Sequence, residues 1–396
     1  MSSRMALNPD IEQADLQICM RCIYDERVPS IFFDQNGICN YCYQVDYLKE
    51  QYGTGIEKGY KLFESILKGI KEAGRGKVYN CIVGVSGGTD SSYLVYLAKE
   101  VWGLRPLAVH YDNTWNSAIA TMNIQKVLSG LDIDLYTHVV DNKEADDIFR
   151  SFFLSGVAEI DSSTDLGYAY LLRQVAAKYS VKFILEGHSF TTEGVTPLGC
   201  NYFDGRYIQF IHKNFGRLPL KTYPLMTFSR FLKSAVIDRV KFIRPLWYLD
   251  YSKEEAQNFL RLSFGWEYYG GHHLENRMTA FTHGIYLPKK FLADLRNNAL
   301  GACVRNGSLS RADAWAEYNS APKVEEDLAV YFRKRLNISE ELYNQVMQSP
   351  PKSWMDYPTY KKRFENLRPL FHVLVKANLV PMSFYLKYCF PVGNSV

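Results

Sequence analysis

The 396-residue sequence has no window approaching the ~20 consecutive apolar residues that a membrane-crossing helix needs. It has no long basic run either. Its 46 Lys and Arg stand against 42 Asp and Glu for a formal net charge of +4, so the composition carries no electrostatic footprint for nucleic acid. The first residues show no basic segment leading into an apolar stretch, as a secretory leader would. These absences give the expectation of a soluble, cytoplasmic protein with no membrane span and no nucleic-acid partner favoured. Cysteine is sparse after residue 42: Cys81, Cys200, Cys303 and Cys389 lie far apart, form no pair motif and read as buried thiols.

The other four of the eight cysteines crowd into the first 42 residues. Cys19-x-x-Cys22 and Cys39-x-x-Cys42 are two knuckles whose spacing suits four thiolates around one tetrahedral Zn2+, a closed coordination that leaves no position for water and makes the metal structural. The stretch Asp34-Gln35-Asn36-Gly37 reads as the turn that returns the second knuckle to the first. An iron–sulfur cluster is the competing reading. We read residues 1–45 as a zinc ribbon, too small to own a hydrophobic core.

With 47% hydrophobic and 15% aromatic residues the whole chain is rich enough for a sizeable core, and its length exceeds that of one ordinary domain. From 78 to about 187, apolar runs at Val78–Val85, Pro106–His110, Leu135–Val140 and Phe183–Leu185 alternate with amphipathic stretches. That rhythm predicts βαβ units and a doubly wound parallel sheet, an α/β fold with ligands at the carboxyl ends of its strands. Residues 46–250 form this unit, with 189–245, rich in Gly, Pro and aromatics, read as an insertion. Residues 251–396 are mostly helical in pattern.

The string Ser86-Gly87-Gly88-Thr89-Asp90-Ser91-Ser92 follows an apolar strand and opens a helix. Two glycines let the backbone turn and present N–H groups with no Cβ in the way, and the helix N-terminus adds positive partial charge, which makes an anion cradle. Ser86, Ser91 and Ser92 add hydroxyl donors, and Asp90 offers a carboxylate for the Mg2+ that accompanies a nucleotide polyphosphate. No lysine lies in the string, which excludes a Walker A loop. A plain Gly-Gly turn capped by Asp90 and Ser91 is the bland alternative. At the ends of two further strands, Asp112 in His110-Tyr111-Asp112-Asn113 is a candidate contact to ribose or base, and His188 in Glu186-Gly187-His188 a second site candidate.

The loop resembles the PP-loop signature of the ATP pyrophosphatase superfamily. The resemblance implies ATP bound on a doubly wound sheet, cleavage between its α and β phosphates, and Ser86, Gly87, Gly88, Asp90, Ser91 and Ser92 around the pyrophosphate, with Asp90 and Ser91 nearest the chemistry. The longer chain is similar to the N-acetyl sugar amidotransferases of bacterial surface-polysaccharide (lipopolysaccharide O-antigen or pseudaminic-type sugar) biosynthesis. It carries the N-terminal cysteine pairs, the Ser86–Ser92 loop, His110-Tyr111-Asp112-Asn113-Thr114-Trp115-Asn116-Ser117 and Tyr268-Tyr269-Gly270-Gly271-His272-His273-Leu274-Glu275-Asn276-Arg277. The distal Leu379-Val380-Pro381-Met382-Ser383-Phe384-Tyr385 fits as well.

That resemblance implies conversion of an acetamido group on a nucleotide-linked sugar into an acetamidino group: ATP adenylates the amide oxygen and ammonia displaces AMP. The ammonia is expected from a separate glutaminase subunit, with a cyclase-like barrel subunit as a further expected partner, since no glutaminase motif is recognisable here. His272, His273, Glu275 and Arg277 are candidate substrate contacts, with a plain polar turn as the alternative. The rival reading is a tRNA-thiolating PP-loop enzyme, which calls for a catalytic cysteine pair and a basic surface.

Overall fold

The structure, a computed structural model, describes residues 16–195, 202–271, 274–377, 379–380 and 382–391. Five strands make one parallel sheet: β1 (Cys81–Gly84), β2 (Pro106–Asp112), β3 (Leu135–Val139), β4 (Phe183–Leu185) and β5 (Lys241–Ile243), in the order β3-β2-β1-β4-β5. The chain runs outward from β1 to β3 and then returns to β1's other side, so the central strand borders the point where strand order reverses. The expected α/β sheet is therefore present. Its fifth strand falls within 189–245, where three residues beginning on a lysine at a sheet edge gave no apolar run to read.

Alternation along the strands sorts their side chains to two faces. Ile82, Leu107, Val109 and Tyr111 face one core, shared with α5 (Asn142–Ser155) and α6 (Ser162–Lys178) and continuous with the C-terminal helices as far as Phe371 and Cys389. Cys81, Val83, Val85 and Ala108 face a second core. That core is closed by α2 (Glu57–Ala73), α3 (Thr89–Tyr96), α4 (Ala118–Gly130) and α9 (Lys253–Phe264). Burial on both faces is why β1 and β2 read as continuous apolar runs. Preceding α2, α1 (Asn40–Tyr52) leaves the cysteine cluster; between α6 and α9 lie α7 (Gly205–Phe215) and α8 (Phe228–Leu232).

Beyond the sheet the chain is mostly helical, as expected. The helices are α10 (Arg277–Phe281), α11 (Arg296–Asn306), α12 (Arg311–Tyr318), α13 (Leu328–Arg335), α14 (Glu340–Gln348), α15 (Lys361–Asn366), α16 (Arg368–Lys376) and α17 (Met382–Cys389). Among the described residues, no helix is long and apolar enough to cross a membrane.

Candidate nucleotide site and metal centre

The Ser86–Ser92 string leaves the carboxyl end of β1 and enters α3 with Gly88 at the N-cap. Gly87 holds φ +83°, and a Cβ there would lie 2.2 Å from the Ala120 carbonyl oxygen, so only glycine fits where the loop meets α4. The Gly87 carbonyl accepts the Trp266 indole N–H at 3.0 Å, and Asn123 Nδ2 donates to the Glu267 carbonyl at 2.8 Å. Within the loop, the Gly88 N–H donates to Ser86 Oγ at 3.3 Å and Ser91 Oγ donates to the Gly88 carbonyl at 3.3 Å. A Cβ on Gly88 would meet Tyr269 Oη, Ser86 Oγ and Glu275 Oε1 within 3.1 to 3.5 Å. Glu275 thus stands over Gly88.

Asp90, whose side chain is only 13% exposed, accepts a hydrogen bond from Tyr251 and one from Lys253 Nζ at 2.9 Å. Burial alone would raise the Asp90 pKa. The charge of Lys253 and the hydrogen bonds from Tyr251 and Lys253 outweigh burial and hold it below the usual carboxylate value. Burial in turn would lower Lys253, but Asp90, Glu193 and Glu275 keep it well above the ordinary ammonium range. Both Asp90 oxygens accept hydrogen bonds from Tyr251 and Lys253, and among the described residues the oxygens of Asp90, Glu193 and Glu275 do not converge on one ion position. Lys253 opens α9, where Ser252 caps the helix by accepting from Glu255 N.

At the end of β2, His110 Nδ1 donates to the Val85 carbonyl at 2.9 Å, leaving Nε2 to accept from Asn116 at 3.3 Å. Asp112 accepts from Thr114 N at 2.7 Å and Asn116 Nδ2 at 3.2 Å. His110 and Asp112 line a cleft of about 440 Å³ with Thr121, Gln125 and Thr137. His188 lies beyond β4, accepting the Trp247 indole N–H at 3.2 Å and standing 3.7 Å from Glu193. Gly187 beside it is pressed on the Ser86–Ser92 loop: a Cβ there would be 3.0 Å from the carbonyl carbon of Asp90 and from Ser91 N.

The two strings singled out around 110–117 and 268–277 are joined. Asn116 and Asn276 form an antiparallel bridge, Ser117 N donates to the Glu275 carbonyl at 2.8 Å, and Arg277 N donates to the Trp115 carbonyl at 2.9 Å. Asn276 also bonds Asn113 at 2.9 Å and Asn116 at 3.0 Å. This bridge delivers Glu275 to the loop. Arg277 instead pairs with Glu325 at 3.1 Å and lies over the Tyr331 ring. His272 and His273 lie outside the described residues. Tyr251, Lys253, Trp266 and Glu193 escaped the sequence reading, and Tyr269 entered it only as part of the 268–277 string, since nothing local to them signals a loop about a hundred or more residues away.

Cys19, Cys22, Cys39 and Cys42 are buried with all four sulfurs within 4.8 Å of one another. Separations of 3.8 Å for Cys19–Cys42, 3.8 Å for Cys22–Cys39 and 3.6 Å for Cys39–Cys42 match the edge of a tetrahedron with metal–sulfur bonds of about 2.3 Å. The donor set fits one ion coordinated by four sulfurs. Among the described residues the packing around it is thin: Tyr24, Val28 and Tyr41 are the other buried apolar residues of that cluster, with Ile31, Phe33 and Ile38 partly buried against it.

Residues 275–369 match the family described as LPS biosynthesis protein WbpG-like, C-terminal domain, in keeping with the resemblance to surface-polysaccharide biosynthesis proteins over that segment. The chain is 30% identical over 174 residues to an uncharacterized protein of Methanocaldococcus jannaschii, covering 43% of this chain and 58% of that relative's length. Among solved structures, it is similar to an NMN synthetase from Francisella tularensis (12% identity, 71% of this chain and 93% of that one, TM-score 0.32). It is also similar to a U34-tRNA thiolase from Methanococcus maripaludis (12% identity, 82% and 89%, TM-score 0.32).

Proposed function

We propose that the protein is an ATP-dependent amidotransferase of lipopolysaccharide or surface-polysaccharide biosynthesis, acting on the N-acetyl group of a nucleotide-linked sugar. The observation that carries the reading is the glycine loop on the central strand, with Asp90 and Lys253 at its helix end and Glu275 over Gly88. Support for the pathway is the WbpG-like match across 275–369, the segment that contributes Glu275.

In this reading the sugar's amide oxygen attacks the α-phosphorus of ATP and pyrophosphate leaves. Ammonia then adds to the O-adenylyl imidate carbon and expels AMP, leaving an acetamidino group. An amide is a poor electrophile, and adenylation supplies the leaving group. The N–H groups of Gly88 and α3's first turn hold pyrophosphate oxygens, Ser86 and Ser91 donate to them, and Lys253 offsets their charge. Asp90 is the carboxylate that would hold Mg2+ together with the nucleotide's phosphates, and the ion would supply charge neutralisation. His110 and Asp112 line the cleft assigned to the nucleoside. Zn2+ is the ion assigned to the four cysteines. A separate glutaminase, with a cyclase-like barrel, supplies ammonia.

The test is AMP and pyrophosphate release from ATP with ammonia and a panel of nucleotide N-acetyl sugars, with unmodified tRNA as the contrasting substrate. Sugar-dependent AMP release, a product lighter by about 1 Da as oxygen gives way to NH, and loss of both in Asp90→Ala support the reading. AMP release with tRNA alone replaces it with the thiolating one, and intact ATP in every mixture refutes both.

A further inference from the structure

Helix α11 touches the cysteine centre along one side. Its Arg305 guanidinium donates to Cys42 Sγ through Nε at 3.3 Å and to Cys22 Sγ through Nη2 at 3.2 Å, and its carbon lies 4.3 Å from the Tyr24 ring centroid. Asn298 accepts from the Tyr24 hydroxyl at 2.7 Å. Just past α11, Arg311 Nε donates to the carbonyls of Cys19 and Cys22 at 3.0 Å each. Four thiolates on one divalent ion carry a net charge of −2, and Arg305, 8% exposed, is the buried cation that offsets it.

The same helix grips the segment 187–194. Asn306 Nδ2 donates to the Thr191 carbonyl at 2.7 Å. Gly194 holds φ +84°, and a Cβ there would fall 2.6 Å from the Asn298 carbonyl oxygen. The opposite end of the segment is Gly187, in backbone contact with Asp90 and Ser91. Eight residues are therefore clamped between α11 and the phosphate loop, and they carry His188 and Glu193.

The geometry points to the four-cysteine centre as a remote positioning element of the phosphate loop: metal loading fixes α11 through Arg305 and Tyr24, and α11 holds residues 187–194 against Asp90 and Ser91. Apart from Ile23, which packs on Leu300 of α11 and Ala314 of α12, the ribbon has little apolar core to keep its shape without the ion, so metal loss withdraws Tyr24 and the sulfur acceptors from α11. Arg305 and Asn306 act through the segment; neither touches the nucleotide. The proposal rests on the nucleotide reading of the loop for its binding consequence and on geometry alone for its structural one.

The experiment compares the metal-loaded full chain, the same chain stripped by a chelator under reducing conditions, and Asn306→Ala. It reads amide hydrogen exchange of peptides spanning 187–194 and the ATP dissociation constant. Stripping is expected to speed exchange there and weaken ATP binding, each by about tenfold. Asn306→Ala should retain one metal ion per chain, with an unchanged cobalt–thiolate spectrum after Co2+ substitution, and show the same loosening. Arg305→Lys, which keeps the charge but loses the fork, should surrender its metal to chelator faster. Unchanged exchange at 187–194 in both the stripped chain and Asn306→Ala overturns the proposal. If the loaded chain binds no ATP, the nucleotide reading fails, and the exchange comparison still decides the coupling.

Discussion

Asp90 is held by two groups, Tyr251 and Lys253, that arrive at the start of α9, packed beside α3 on the same face of the sheet. Its folded pKa lies below its ordinary value because Lys253 and these hydrogen bonds outweigh burial. A carboxyl so depressed stabilises the fold at every pH above the unfolded value near ~3.9, and the contribution is lost as pH falls through the native value. Replacing Lys253 by Met is expected to cost about 1–3 kcal/mol at neutral pH and to cut AMP release. The gap in melting temperature between the variant and the native chain should narrow below about pH 4. A gap constant from neutral to acid pH contradicts the assignment. Gly87→Ala combines a left-handed φ with a 2.2 Å clash on backbone. A loss of about 1–3 kcal/mol in urea unfolding is expected, together with weaker nucleotide binding by calorimetry.

At the scale of elements, the bridge between residues 116 and 276 decides where Glu275 stands. Asn276 caps α10, accepting from Met278 N at 3.0 Å and Thr279 N at 3.3 Å, while its amide donates to Asn113 and Asn116. Asn276→Asp keeps the cap and loses the donor; Asn276→Ala loses both. Stability should fall by about 1 kcal/mol more in Ala than in Asp, whereas both should raise the KM for ATP if the bridge positions Glu275. An equal KM in Asp and the native chain would detach Glu275 from that role.

Much of this level was legible in advance. β1 and β2 are buried on both faces and so read as apolar runs, and the cysteine knuckles carry their spacing on their face. β5 was hidden because a three-residue edge strand has no periodicity to count. The partners of Asp90 were hidden for a different reason: 161 and 163 residues separate it from Tyr251 and Lys253, and no local pattern encodes a contact across that span. The strings around 113 and 276 were both noticed, but not that they touch.

For the whole molecule, the core on the α5–α6 face of the sheet runs without interruption from Ile82 through Phe332 and Phe371 to Cys389. Arg335 ties α13 back to α5 and to the loop after β2, donating to Asp146 at 3.0 Å and to the Thr114 carbonyl at 2.6 Å. A chain cut after residue 319 is therefore expected to lose cooperative unfolding, and the full chain to melt in a single transition by calorimetry. Two resolved transitions, or a cooperative and ATP-binding fragment, would contradict this.

The cover of the cysteine centre lies far downstream of the cysteines themselves, with 283 residues between Cys22 and Arg305 and 289 between Cys22 and Arg311. During synthesis at roughly 5–20 residues per second, the four thiols leave the ribosome tens of seconds before their lid exists. The ion must be captured, or the thiols left open to oxidation, within that interval. Stalled nascent chains ending near residue 290 should therefore alkylate at Cys22 and Cys42 faster than released protein at equal zinc. Biogenesis, rather than the finished fold, would then be the stage at which metal supply limits how much working protein a cell makes.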